Sequence, residues 1–143
     1  MTKRRLGQLA AIVLVFVTVG PVIGLLAAAA LAGLAIAAGG DPGGGGAFTI
    51  FLLIYGLLFA HFIGIVPAAM AGTIVAGVAN WRGRVPLAVG AVAGIAGMGL
   101  MALRSGVPQP SWRESSTTAV AVIWLLAHVL AALACTRLTR RWQ

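Results

Sequence analysis

The sequence predicts an all-α fold: an integral membrane bundle of four transmembrane helices with both termini in the cytoplasm. Of the 143 residues, 61% are hydrophobic and only 8% are charged, whereas a soluble domain carries about 25% charged residues. Because so few charges cannot cover a surface in water, lipid must surround most side chains. The basic residues lie in short groups beside the apolar runs, which is typical of anchors at a membrane surface. We therefore expect one multi-pass domain, residues 1–143, in a bacterial cytoplasmic (inner) membrane.

Four apolar runs predict the helices. A helix of about 20 residues spans a hydrocarbon core about 30 Å thick, and a segment in lipid must satisfy its own backbone hydrogen bonds. The expected helices cover about 6–38, 47–79, 85–103 and 117–136. They are joined by a glycine-rich outer loop at 39–46, a cytoplasmic loop at 80–84 and a second outer loop at 104–116. The first two helices are longer than one span requires.

Loop charges predict the orientation. Three basic residues precede the first run, two lie in loop 80–84 and three follow the last run. Cytoplasmic segments carry the excess of Lys and Arg, so these three regions are placed in the cytoplasm. Because these basic residues are spread over several regions of the chain, we expect the net charge of +8 to face lipid headgroups and not nucleic acid. The first run is about twice as long as the apolar core of a signal peptide, so we expect an uncleaved helix.

A stripe of small residues follows the second apolar run. Small side chains let helix backbones approach closely, which is how helices associate when lipid removes the hydrophobic driving force. We interpret the stripe as a packing surface for the first run; a contact between copies of the chain is the alternative. Its members are spaced four apart: Gly56, Ala60, Gly64, Ala68, Gly72 and Ala76.

Each of the two long runs contains one proline, Pro21 and Pro67. Counted along the helices from Arg5 and Arg82, the prolines lie at similar depths of about 24 Å and about 22 Å. An antiparallel hairpin would place the two kinks side by side, which makes both prolines hinge candidates. The alternative is that they are ordinary prolines of the kind that membrane helices tolerate.

The second run also follows the pattern aromatic-x-Gly-x-x-Pro-Ala-x-x-x-Gly, carried by Phe62, Gly64, Pro67, Ala68 and Gly72. This segment resembles a helix of small, uncharacterised four-helix bacterial inner-membrane proteins. The resemblance covers one helix. It implies an integral inner-membrane location and no particular activity.

Two histidines are the polar candidates inside the apolar runs, because a polar group in lipid is costly and therefore points to function. We expect His61 near the outer membrane surface beside Tyr55 and Phe62. We expect His128 to bond a backbone carbonyl or a hydroxyl within the bundle. A proton relay or a ligand contact is the alternative for both. Measured from the cytoplasmic ends of their helices, their depths differ by roughly 18 Å, so a shared haem is not expected.

The residue patterns of enzymes are missing from the sequence. The apolar runs hold no acidic residue. The chain therefore lacks the embedded glutamate of the small proton-coupled multidrug exporters, which it resembles in helix number and size. We find no nucleophile set, phosphate loop or metal-ligand pattern, and we interpret the single cysteine, Cys135, as a packing residue. We expect no catalytic residues, no metal and no cofactor.

These observations favour a membrane protein that acts through helix–helix contacts as a structural or accessory subunit. Its expected partners are the lipid bilayer and either further copies of itself or a larger membrane complex. The alternative is a small oligomeric transporter or holin-like channel, for which the runs contain little polar lining.

Reporter fusions test the orientation. With both termini in the cytoplasm, alkaline phosphatase fused after Gln143 should be inactive, because its disulfides form only outside the cytoplasm. The same reporter inserted in loop 39–46 should be active. An active phosphatase after Gln143 would contradict the orientation.

Overall fold

The computed structural model of the chain describes residues 3–39, 45–104 and 115–142. Four α-helices follow one another: α1 (Lys3–Ala37), α2 (Gly45–Arg82), α3 (Leu87–Arg104) and α4 (Ser115–Thr139), and α4 continues into a 3₁₀ turn at Arg140–Trp142. These ranges contain no strand, so the all-α prediction is confirmed. Most of the two predicted outer loops lies outside the described residues.

The two longest apolar runs each form one continuous helix. α1 has 35 residues and α2 has 38, which corresponds to about 52 Å and about 57 Å along the axis. Pro21 and Pro67 both lie inside these helices. A proline removes one backbone hydrogen bond, and the flanking apolar residues continue the helix on either side of it.

The turn between α2 and α3 begins later than expected. α2 continues three residues beyond the expected end, to Arg82. Gly83 then has a φ of 74°, a left-handed conformation that glycine adopts without steric cost. Its N–H donates to the carbonyl of Ala79 at 2.9 Å. The turn covers 83–86 instead of 80–84, because residues 80–82 include no glycine or proline that would end the helix.

Three helical stretches of the described residues are long and apolar enough to cross a membrane: Arg5–Ala37, Gly64–Arg82 and Ala119–Thr139. The apolar part of α3, Leu87–Leu100, is shorter. Length and composition therefore indicate a membrane protein with three helices able to span the bilayer. A fourth crossing by α3 stays a prediction.

The four helices form a ring in which each helix packs mainly on two neighbours. α1 contacts α2 and α4, and α3 contacts the same two helices. Along the α1–α2 contact, Gly72 lies beside Phe16 and Gly56 lies beside Leu25. The residue numbers rise on one helix as they fall on the other, so α1 and α2 are antiparallel. α4 closes the ring against α1, with Cys135 beside Gly20.

One end of the ring is densely packed. Ile12, Phe16, Val75 and Val85 are between 0% and 2% exposed there. The guanidinium of Arg140 donates through Nε and Nη2 to the carbonyl of Val85 at 3.3 Å and 3.2 Å. The end of α4 is thereby fastened to the turn between α2 and α3. The exposed arginines of this turn and of the chain beyond α4 therefore gather at the same end of the ring.

Two glycines of α3 give a matched test of helix packing. A Cβ at Gly94 would lie 2.9 Å from the carbonyl oxygen of His128 and 3.0 Å from Cα of Val129, whereas a Cβ at Gly99 meets nothing within 4 Å. Because backbone cannot yield as a side chain can, Gly94→Ala should lower the free energy of unfolding by about 1–3 kcal/mol. Gly99→Ala should leave it unchanged or raise it slightly, because alanine favours helix.

The measurement is unfolding of both variants and the wild type in one detergent, by circular dichroism against sodium dodecyl sulfate. Equal stability of the two variants would contradict the close contact between α3 and α4.

Candidate functional site

A cavity of about 290 Å³ lies between the four helices. All four contribute to its lining, and the residues that line it are mainly glycine, alanine and larger apolar residues. Six glycines belong to the lining: Gly20, Gly24, Gly56, Gly64, Gly94 and Gly97. At Gly20 and Gly24 a Cβ would have its nearest neighbour 3.7 Å away, whereas the other four glycines are in close contact with an adjacent helix.

One part of the small-residue stripe of α2 lies along this cavity, and the other part lies in the packed end. Gly56, Ala60, Gly64 and Ala68 line the cavity. Beyond them, a Cβ at Gly72 would lie 2.9 Å from Cβ of Phe16 and 3.1 Å from Cα of Val13, and Ala76 is 5% exposed in the core. Gly56, like Gly72, has α1 as its neighbour and faces the side chain of Leu25.

The two hinge candidates are both buried and both line the cavity. Pro21 packs on α2, where a Cβ at Gly64 would lie 3.2 Å from Cβ of Pro21. Pro67 packs on α3, where a Cβ at Gly97 would lie 3.1 Å from the Pro67 carbonyl oxygen. Gly64 lies one helical turn from Pro67, so the two prolines occupy neighbouring levels of the bundle while contacting different helices. Hinge motion at either position stays a prediction.

His61 joins α2 to α1 next to a proline. Its Nε2 lies 3.1 Å from the carbonyl oxygen of Thr18, three residues before Pro21. Since a carbonyl only accepts, the ring must donate an N–H from Nε2. Proline disturbs the backbone hydrogen bonds of the preceding turn, and neighbouring helices commonly satisfy the carbonyls that it affects. The expectation of a surface position beside Tyr55 and Phe62 did not include this contact, because nothing in sequence spacing relates His61 to Thr18.

His128 bonds within its own helix and lines the cavity. Its Nδ1 lies 2.8 Å from the carbonyl oxygen of Trp124, and the two rings are 6.1 Å apart between centroids. An N–H on Nδ1 leaves Nε2 of a neutral imidazole as an acceptor. Trp124 and Tyr55 also line the cavity, so its few polar groups come from aromatic and imidazole rings.

The structure does not bring the two histidines to one site, because His61 contacts α1 and is not part of the cavity lining. Among the residues whose side chains the structure describes, the lining contains no acidic residue, lysine or arginine. Within the ranges that the structure describes, no group of three His, Cys, Asp or Glu residues could hold a metal ion. The described lining is therefore mainly apolar.

Sequence reasoning missed the contribution of α3 and α4 to this cavity. Gly94 and Gly97 of α3 and Trp124 of α4 line it. The spacing of Gly90 and Gly94, four apart, shows a small face on α3. Spacing does not show which helix that face meets.

The bond from His61 to Thr18 gives a test with a conservative control. His61→Leu removes the donor and should lower the free energy of unfolding by about 1 kcal/mol. His61→Gln keeps a donor at a similar distance from the backbone and should retain most of the stability. The measurement is unfolding in detergent, with Thr73→Val as a second control, because the Thr73 hydroxyl donates only within α2, to the carbonyl of Ala69. Equal losses in the leucine and glutamine variants would show that the bond does not contribute.

No protein-family model, no curated protein and no solved structure matches this chain. The resemblance of the segment from Phe62 to Gly72 to four-helix inner-membrane proteins stays a prediction from its sequence pattern.

Proposed function

We propose that the chain is a four-span protein of a bacterial inner membrane, with both termini in the cytoplasm, and that it acts as a structural or accessory subunit. The observation that carries this proposal is the outward surface. Large apolar side chains are exposed on every helix, for example Leu34 (68%), Phe62 (81%), Val92 (62%) and Leu130 (46%). In water such a surface would be unstable. Lipid or the helices of a partner cover it.

The polar groups of the helices support a structural role over transport. Four threonines donate their hydroxyls to the carbonyl four residues earlier, at 2.7–2.9 Å: Thr18, Thr73, Thr136 and Thr139. His128 bonds its own helix in the same way. These groups satisfy local backbone carbonyls and form no continuous polar path among the described residues. A path for ions or protons needs such a series.

The contacts of the α2 stripe also limit where a partner can bind. Gly56, Gly64 and Gly72 are covered by α1, so this face is used within the chain. A partner helix must therefore contact an outward face, such as the one that contains Gly77, where a Cβ would meet nothing within 4 Å. The role of the stripe in this proposal is to hold the bundle together.

The cavity favours a second candidate function, a small oligomeric transporter. A central space that all four helices line is a common feature of proteins that move a solute. Its apolar lining argues against an aqueous channel, because water in a cavity needs two to four polar partners.

Native mass spectrometry of the protein in lipid nanodiscs excised from its own membranes tests the proposal. We expect a stoichiometric complex with other membrane proteins or with further copies of the chain, because the exposed apolar faces are available for helix contacts. The control is the Gly94→Ala variant, whose loosened bundle should form less of the same complex.

A chain that is always monomeric would contradict the accessory role. A discrete homo-oligomer that releases a small solute from liposomes would favour the transporter. A chain that stays in the supernatant when membranes are pelleted would overturn both.

A further inference from the structure

We infer that the packed end of the ring binds the phosphate of one anionic phospholipid between Arg84, in the turn after α2, and Arg140, at the end of α4. The inference rests on the proposed membrane location and goes beyond the accessory role. It also differs from a general attraction between basic residues and lipid headgroups, because it assigns one lipid to one pair of side chains.

The side chain of Arg140 is already held in place. Its Nε and Nη2 donate to the carbonyl of Val85 at 3.3 Å and 3.2 Å, so one edge of the guanidinium is occupied. A guanidinium has five N–H groups, and the remaining ones belong to Nη1 and Nη2 on its other edge. Two N–H groups of one edge match two oxygens of a phosphate. Because the carbonyl fixes this side chain, binding of an anion costs it little conformational entropy.

Arg84 begins next to this guanidinium. It directly precedes Val85, and consecutive Cα atoms are about 3.8 Å apart. The turn itself is held by the N–H of Gly83, which donates to the carbonyl of Ala79 at 2.9 Å. The side chain of Arg84 is exposed and long enough to reach an anion at the free edge of Arg140. The two positive groups repel each other until an anion joins them.

The surroundings of this pair carry an excess of positive charge. Three further arginines are exposed at the same end: Arg82, Arg137 and Arg141. The described residues contain no aspartate or glutamate, and the two acidic residues of the sequence, Asp41 and Glu114, precede α2 and α4, whose last turns lie among these arginines. The ammonium of a zwitterionic headgroup therefore finds no carboxylate among the described residues. A headgroup of net negative charge is favoured.

Large apolar groups beside the arginines favour a lipid over a soluble anion. Trp81 is 79% exposed and Leu138 is 50% exposed, and the guanidinium of Arg82 lies 5.2 Å from the centroid of the Trp81 ring. Tryptophan is typical of the boundary between lipid tails and headgroups. A phospholipid covers both the charge and the apolar surface, whereas a soluble anion or an acidic protein segment covers only the charge.

Native mass spectrometry of the full chain in detergent tests the inference with two lipids that share dioleoyl chains, a phosphatidylglycerol and a phosphatidylethanolamine. One phosphatidylglycerol should bind saturably, roughly fivefold more tightly than the phosphatidylethanolamine, and added salt should weaken it. Equal affinity for the two lipids would overturn the inference. Displacement of the bound lipid by equimolar glycerol 3-phosphate or polyglutamate would do the same, since it would indicate a soluble anion or an acidic partner.

Single charge removals separate one binding site from diffuse attraction. Arg84→Gln and Arg140→Gln should each weaken phosphatidylglycerol binding by roughly fivefold. Arg5→Gln removes the same charge from α1, which lies across the ring from α3, and should change binding by less than about twofold. Equal losses in the three variants would contradict the inference. Arg84→Gln alters an exposed side chain, so the test stands even if Arg140→Gln fails to fold.

Arg140→Lys tests the geometry at constant charge. An ammonium lacks the fork that bonds a carbonyl on one edge and a phosphate on the other, so lysine should restore less than about half of the affinity that Arg140→Gln loses. Wild-type affinity in the lysine variant would show that charge alone is sufficient and would overturn the assignment to this pair. Recovery of the protein in the membrane pellet is measured separately, so a failure of lipid binding is distinguishable from a failure of the membrane proposal.

Discussion

In a bilayer, an apolar side chain gains little free energy by leaving lipid for another helix, so association of the helices depends on close contact between their surfaces. The contacts that hold this ring are at positions that lack a side chain. Gly72 receives Phe16 of α1, Gly90 receives Thr136 of α4, and Gly94 receives the backbone of α4. Each pair allows two helices to approach more closely than alanine would permit. The antiparallel order of the ring follows from these contacts.

The glycines have two different effects along the bundle. Toward the packed end, a large side chain from the neighbouring helix occupies the space beside a glycine, as Phe16 does beside Gly72. In the middle, Gly20 and Gly24 have only small residues beside them, and the space there remains open as the cavity. Whether a glycine makes a tight contact or a cavity therefore depends on the residue that faces it.

The sequence was sufficient to predict the helices and their apolar character, because both follow from composition and local spacing. The position of α1 against the α2 stripe was also accessible, since a small face needs a neighbour and the two runs are joined by a short loop. The cavity was not accessible, because small residues occur on every helix and do not determine how each helix is rotated about its axis. The contact of His61 with Thr18 joins residues that are 43 positions apart. It depends on that rotation.

The bond from Arg140 to Val85 has a consequence for the order in which the molecule is assembled. The two residues are 55 positions apart, so the ribosome makes the turn between α2 and α3 long before the arginine that fastens it. The contacts between α1 and α2 involve no later part of the chain. This hairpin can therefore form as soon as both helices have left the translocation machinery. α3 contacts that hairpin where Gly97 meets Pro67, and it contacts α4 at Gly90 and Gly94. The ring therefore cannot close until α4 has been made.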